Sequence, residues 1–340
     1  MIWIRGDANK DIGMGHVMRC LAVAEALRDL GQEVCFVVAS EDAVPLLQTK
    51  GYPFIVLYAD YRHPEMELPR LEELLATHKP ALFLADGYFF TSAYYETVSK
   101  YTKVACFDDL GQADPQVDLL INYNIYASED CYKEHNAKKY LCGAAFVPLR
   151  KEFSHVPYQV CEKATKVLLT TGGADKYNLA GQILEEAMGH PEASKLEYYV
   201  VSGRANHHLP SLQALENMHE NITLCVAVEQ MAELMKSCDV AMTAGGSTIY
   251  ELSAVGVPFL CFSFAENQQK LVETYGANHW TDYAGNYLTD GNVMITDLTK
   301  KIVTLASDFK HRKQLSETLR GLVDGNGAMR IAQALTTLCK

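Results

Sequence analysis

The sequence predicts an α/β protein made of two doubly wound halves, each with a parallel sheet covered by helices. Three observations predict it. Short apolar runs alternate with amphipathic helical stretches along most of the chain. Within the runs the residues are continuously apolar, as in strands buried on both faces. The rhythm breaks once, in the polar stretch 150–165, and then restarts. A length of 340 residues is also long for a single core, which agrees with two domains.

The elements follow in order. Ile2–Arg5 reads as a strand and residues 6–15 as a loop. His16–Leu30 reads as a helix with Val17, Leu21, Ala24 and Leu27 on one face, stopped by Gly31. Strands are then expected at Val34–Val38, Phe54–Leu57, Ala81–Ala85, Lys103–Phe107 and Leu119–Ile121, with helices or turns between them. After the polar stretch, which contains Pro157, a strand at Lys166–Thr171 runs into Gly172-Gly173-Ala174-Asp175 and a helix. Further strands fit Tyr198–Ser202, Ile222–Cys225, Asp239–Thr243 and Pro258–Phe262. Residues from about Asp308 onward read as two helices separated by Asp324-Gly325-Asn326-Gly327. The expected division is a domain at 1–155, a second at 156–310, and a segment at 311–340 that returns to the first. Two Rossmann-like domains of this kind bind ligands at the carboxyl ends of their strands, in a cleft across which they face each other.

Composition excludes several classes. The 30 Lys and Arg against 42 Asp and Glu give a net charge of −12, which argues against nucleic acid or an anionic membrane as partner. Hydrophobic content of 49% and charged content of 21% are those of a globular protein. No run reaches the roughly 20 apolar residues that span a bilayer. The ten cysteines show no C-x-x-C spacing, and several sit in apolar runs such as PFLCFSF. With no leader pattern ahead of the first strand, a cytoplasmic location is expected. The sequence leaves the oligomeric state open.

Three loops hold the candidate chemistry. The first runs from Gly6 and Asp7 to Gly13-Met14-Gly15-His16, between a strand and a helix. Glycines there let a ligand approach the backbone, and the helix start offers unpaired N–H donors. A dinucleotide fingerprint fails, because the third glycine position is Met18, and no Gly-Lys-Ser/Thr makes it a P-loop. His16 fits either a packing histidine or a reacting group, and Arg19 either a salt bridge or a phosphate contact. The second loop is Gly172-Gly173-Ala174-Asp175, suited to a diphosphate, with Asp175 equally fit to cap the following helix. The third is Gly245-Gly246-Ser247-Thr248, where both hydroxyls can meet phosphate, and Glu251 one turn on can reach a ribose diol. It is not a nucleophile elbow, since Ile249 occupies the position that needs glycine. Asn267-Gln268 follow a strand and fit sugar recognition or a helix start. Asp86 with Tyr88, and Asp108-Asp109, lie at strand ends, where aspartates are often turn residues. No metal is expected from them.

Taken in series, these loops resemble the UDP-sugar hydrolases of pseudaminic acid biosynthesis and the SpsG-type polysaccharide biosynthesis proteins. Both are similar to MurG-type glycosyltransferases of the GT-B fold. The matching pieces span most of the chain, from Arg5-x-Asp7 and Gly13-Met14-Gly15-His16-x-x-Arg19 to Gly325-x-Gly327-Ala328-x-Arg330. The resemblance implies a UDP-sugar substrate bound through Gly172, Gly173, Asp175, Gly246, Ser247, Thr248, Glu251 and Gln268 on the second domain. On the first domain it implies contacts from Asp7, Gly13, Gly15 and Arg19. It further implies hydrolysis at the anomeric carbon with no metal or other cofactor and His16 as the main catalytic candidate; His16 is expected to act as general base for the attacking water, with Tyr88 and Asn267 as catalytic partners. The alternative is a glycosyltransferase in surface or spore coat polysaccharide synthesis, with an acceptor hydroxyl in place of water. One departure stands out: Asp86-Gly87-Tyr88 replaces the Asp-His-Tyr usual in the pseudaminic branch.

Overall fold

The computed structural model describes residues 1–9, 12–111, 116–204 and 206–340. They form two compact units. Unit 1 comprises Met1–Lys151 with Gly325–Lys340, and unit 2 comprises Glu152–Asp324.

Unit 1 carries seven strands: β1 (Ile2–Gly6), β2 (Val34–Val38), β3 (Phe54–Val56), β4 (Leu82–Asp86), β5 (Lys103–Phe107), β6 (Leu119–Asn122) and β7 (Tyr140–Cys142). They lie in the order β3-β2-β1-β4-β5-β6-β7, and each pair is parallel. Helices α1 (Gly15–Asp29), α2 (Val44–Thr49), α3 (Leu68–His78) and α4 (Ser92–Ser99) make the crossovers. Val17, Leu21, Ala24 and Leu27 of α1 are buried, as their spacing predicts, and Gly31 leaves the helix at φ 73°. β1 and β4 are neighbours, with Gly6 paired to Asp86. The chain order reverses between them, so the loops that leave their carboxyl ends diverge and open a crevice.

All of β1 is buried, including Arg5. A guanidinium tolerates that only when paired. Its Nε and Nη2 donate to the two oxygens of Glu67 at 2.9 and 3.0 Å, and Nη1 donates to Asp7 Oδ2 at 2.6 Å.

Unit 2 repeats the plan with six strands: β8 (Lys166–Thr170), β9 (Glu197–Ser202), β10 (Ile222–Val226), β11 (Val240–Ala244), β12 (Phe259–Ser263) and β13 (Asp282–Asn286). Their order is β10-β9-β8-β11-β12-β13, again all parallel. Here the order reverses between β8 and β11. The helices are α5 (Leu179–Gly189), α6 (Leu209–Met218), α7 (Met231–Lys236), α8 (Thr248–Val255), α9 (Glu266–Ala277), α10 (Tyr287–Asp290), α11 (Asn292–Ser307) and α12 (Phe309–Leu322).

Helix α13 (Gly327–Leu338) is grouped with unit 1 and lays Ile331, Ala332 and Leu335 into the core that also holds Val17 and Leu21 of α1. The returning segment therefore begins at Gly325, where the sequence expectation was 311. Arg312 of α12 explains why α12 stays behind. It is buried and donates to the carbonyls of Leu305, Cys161 and Glu162 at 2.8–3.0 Å, which ties α12 to unit 2. The first break falls after Lys151, against an expected 155. Among the described residues, no helix is long and apolar enough to cross a membrane.

Candidate functional site

In unit 1 the loop after β1 is shaped by Gly13, at φ 72°, whose N–H donates to Asn9 O at 2.8 Å. Positions 10 and 11 of this loop lie outside the described residues. Gly13 and Gly15 are exposed, and a Cβ on either would meet nothing within 4 Å. Met14 supplies no side-chain cap, so the first N–H groups of α1 stay available to a ligand. His16 follows in the first turn, only 5% exposed.

Its Nδ1 lies 2.7 Å from Asp86 Oδ1, at the end of β4. The Gly6–Asp86 register explains the meeting: the start of the loop after β1 and the last residue of β4 are side by side. Among the described residues, His16 Nε2 makes no hydrogen bond. A small recess of ≈ 10 Å³, about the room of one water, opens beside the ring, lined by Asp7, Ile12, His16, Tyr61, Asp86, Gly87, Tyr88, Phe89 and Phe90. The Tyr88 ring meets that of His16 edge-on, with centroids 4.6 Å apart, and its hydroxyl is 3.4 Å from Asp109 Oδ2. Burial and then the Asp109 charge push the Tyr88 phenol well above its ordinary range, so it stays protonated.

Arg19, one turn further, holds Asp86 through Nε at 2.5 Å and through Nη2. Its Nη1 donates to Asp109 Oδ2 and to Tyr123 OH, both at 2.6 Å. Burial alone would raise the Asp86 carboxyl. The charge and hydrogen bonds of Arg19, with His16, instead hold it well below the usual carboxylate range. Burial pushes the Tyr123 phenol up to about 12.

Asp7 lines the recess, but both its oxygens are taken by the fold. Oδ2 accepts from Arg5, and Oδ1 accepts from Ala39 N–H at 2.7 Å. Gly87 has a packing consequence: a Cβ there would lie 2.9 Å from the Phe90 ring. Phe90 in turn rests under the Arg5 guanidinium, 5.5 Å from it.

In unit 2 the candidate residues gather at the carboxyl ends of β8, β11 and β12. Gly172, at φ 88°, and Gly173 are exposed with open space above them. Gly203, after β9, supports this loop from behind, since a Cβ on it would lie 2.4 Å from Gly173 O. Asp175 caps α5 with both oxygens, Oδ1 accepting from Leu179 N–H at 2.7 Å and Oδ2 from Ala180 N–H at 3.0 Å. A carboxylate of the protein thus occupies that helix start, which discourages a ligand anion from it.

The start of α8 differs. Ser247 sits at its N-cap position, exposed, with no side-chain bond back to the helix. Gly246 has open space for a Cβ. Thr248 is half-buried, and Glu251 lies in the first turn. Gly245 lets α9 come close: a Cβ there would lie 2.5 Å from Val272 and 3.0 Å from Gln268. That packing sets the first turn of α9 beside the Gly246–Thr248 loop. Asn267 is exposed there, and Gln268 Oε1 accepts from Phe264 N–H at 3.0 Å.

The structure thus unites His16, Arg19 and Tyr88 in unit 1, and the glycine loops with Ser247, Thr248, Asn267 and Gln268 in unit 2. Sequence reasoning set aside Asp86 and Asp109 as strand-end residues and passed over Tyr123. The strand order that brings them together is not written in any single motif.

Residues 167–326 match the model of the glycosyltransferase family 28 C-terminal domain. The chain is similar to the spore coat polysaccharide biosynthesis protein SpsG of Bacillus subtilis, 25% identical and covering 99% of this chain and 98% of that protein. It is also 25% identical to a UDP-2,4-diacetamido-2,4,6-trideoxy-beta-L-altropyranose hydrolase of Campylobacter jejuni, over 79% of this chain and 93% of the hydrolase. An uncharacterized protein of Methanocaldococcus jannaschii matches at the same identity over 79% of this chain, which spans only 57% of that protein's length. Among solved structures, MurG of Acinetobacter baumannii superimposes with a TM-score of 0.67 at 12% identity, covering 99% of each chain. The fold is that of the GT-B glycosyltransferases.

Proposed function

We propose that this chain processes a UDP-sugar, hydrolysing a UDP-linked amino or deoxy sugar to UDP and the free sugar. The observation that carries the reading is the His16–Asp86 pair, which engages Nδ1 of a nearly buried histidine that lines a recess in unit 1 and leaves its Nε2 unbonded among the described residues. A histidine so held is equipped as a general base.

His16 Nε2 takes a proton from water as the water oxygen bonds to the anomeric carbon. The bond from that carbon to the phosphate oxygen breaks, and UDP leaves with the electron pair. The charge gathered on UDP is met by the N–H groups at the start of α8 and the hydroxyls of Ser247 and Thr248. Glu251 takes the ribose, Gly172 and Gly173 give backbone access, and Asn267 and Tyr88 orient the sugar or the water. The similarity to the Campylobacter jejuni hydrolase supports this choice of substrate and reaction. No metal or other cofactor is invoked in any of these steps, and the chemistry proposed is that of a cytoplasmic enzyme.

Glycosyl transfer is the second reading. It is favoured by the fold and by the exposed apolar side chains Met14, Tyr88, Phe89 and Leu110 on unit 1 loops, which suit an acceptor. The deciding experiment measures UDP release from candidate UDP-sugars in water with no acceptor. Turnover that disappears in His16→Asn is expected. Release that appears only on adding an acceptor would overturn hydrolysis in favour of transfer.

A further inference from the structure

The Arg19 guanidinium has no nitrogen to spare. Nε and Nη2 clasp the two oxygens of Asp86, and Nη1 serves Asp109 and Tyr123. The Phe107 and Tyr123 rings lie 5.1 and 5.4 Å from its carbon, which leaves little room for water over the group. Four of its five N–H donors are already spent on Asp86, Asp109 and Tyr123. Its work lies elsewhere.

His16 Nδ1 meets two atoms of this cluster, Asp86 Oδ1 at 2.7 Å and Arg19 Nη2 at 2.9 Å. They make opposite demands. The carboxylate oxygen accepts, so it requires the proton on Nδ1 and leaves Nε2 bare. The guanidinium N–H donates, so it would require a bare Nδ1 and put the proton on Nε2. Asp86 is held as an ionised carboxylate, which can only accept, so a bare Nδ1 2.7 Å from Oδ1 would set two lone pairs against each other, and the proton belongs on Nδ1. Oδ1 has lone pairs for both donors, and the nearness of Nδ1 to Nη2 follows from that shared acceptor.

We propose that Arg19 is a positioning residue that decides which nitrogen of His16 carries the proton. By gripping both oxygens of Asp86 it holds Oδ1 as acceptor for Nδ1–H, which leaves Nε2 unprotonated. It also sets a positive charge against Asp86 beside the ring. Asp7, Cys20, Tyr88, Asp109 and Tyr123 also face this cluster. Asp7 is matched by Arg5, while Arg19 shares its one positive charge between Asp86 and Asp109. The use of Nε2 as a base rests on the hydrolase reading, whereas the state of the ring does not.

The test is the ¹⁵N spectrum of histidine-labelled protein, with the His16 ring assigned by its loss in His16→Gln. Wild type is expected to show a protonated Nδ1 and a bare Nε2. Arg19→Lys keeps the charge but loses the two-pronged grip, and is expected to show a mixture of both neutral forms. Arg19→Met leaves Asp86 uncompensated beside the ring, so the acid limb of kcat/KM should move to higher pH by about one unit. A wild-type ring with its proton on Nε2 overturns the proposal. So does a variant pair whose activity falls only in step with thermal stability, with ring form and pH limb unchanged. If neither variant folds, the wild-type spectrum still decides. The ring spectra need no substrate, so a protein that turns over nothing would sink the hydrolase reading and leave this one to the spectra.

Discussion

Asp86 is the residue on which unit 1 chemistry turns. Asp86→Asn keeps the shape but offers a neutral oxygen or an N–H to His16 Nδ1, so the ring loses its fixed orientation. The expected loss in kcat is about 10²–10⁴-fold, the usual worth of positioned acid–base catalysis, measured by UDP release under saturating substrate. The same carboxyl sets an acid limit on stability. Because Arg19 and His16 hold it below its ordinary range in the folded protein, its contribution is complete above the unfolded value of about 4. That contribution is lost as pH falls from there toward the folded value. Thermal melts at pH 5 and pH 3 should therefore differ more for wild type than for Asp86→Asn. Little of this was legible in the sequence. His16 announces itself beside two glycines, but Asp86 is 70 positions away and meets it only because β4 pairs with β1.

At the level of elements, the two glycine loops of unit 2 look alike in sequence and differ in electrostatics. Asp175 closes the start of α5, while nothing from Ser247 closes α8. Asp175→Ala should cost about 0.5–2 kcal/mol of stability, read from denaturant midpoints, as caps generally do. Ser247→Ala should leave stability unchanged and weaken UDP binding by about 0.5–1.5 kcal/mol, read by calorimetry. Gly203→Ala tests the support of the first loop. Its new Cβ must push Gly173 away, so a destabilisation of about 1–3 kcal/mol and weaker UDP binding are expected together. The interior strands were readable because both their faces are buried and their runs are apolar. The edge strands β7 and β13 were not. Tyr140–Cys142 is three residues long, and Asp282–Asn286 reads DYAGN, with a register break against β12. The other two edge strands, β3 and β10, carry apolar runs and were read, so the shortness of β7 and the polar, glycine-containing run of β13 hid them, not their place at the edge.

For the whole molecule, the two units differ in how the chain makes them. Unit 2 is one continuous segment, and unit 1 is closed by α13 from beyond it. A fragment spanning 152–324 is expected to fold and to bind UDP without hydrolysing UDP-sugars, which calorimetry and an activity assay would check together. Removing residues 325–340 should expose the apolar face of α1 and make unit 1 aggregate, because Ile331 and Leu335 leave its core. The two-domain plan was legible from the restarted rhythm. The point of return was not, because α12 and α13 are equally helical in pattern, and it takes the buried Arg312, Leu315 in the unit 2 core and Arg320 on Tyr158 O to show which unit holds the former.

The position of α13 also bears on how the protein is born. On a ribosome, the seven strands of unit 1 emerge first, but the helix that covers α1 arrives only after all of unit 2 has been synthesised. At ~5–20 residues per second that is an interval of roughly 10–30 s. During it the nascent unit 1 presents a bare apolar stripe to its surroundings. Cells making this chain would depend on a holding chaperone for that interval, and a circular permutant with α13 moved ahead of β1 would be released from the need.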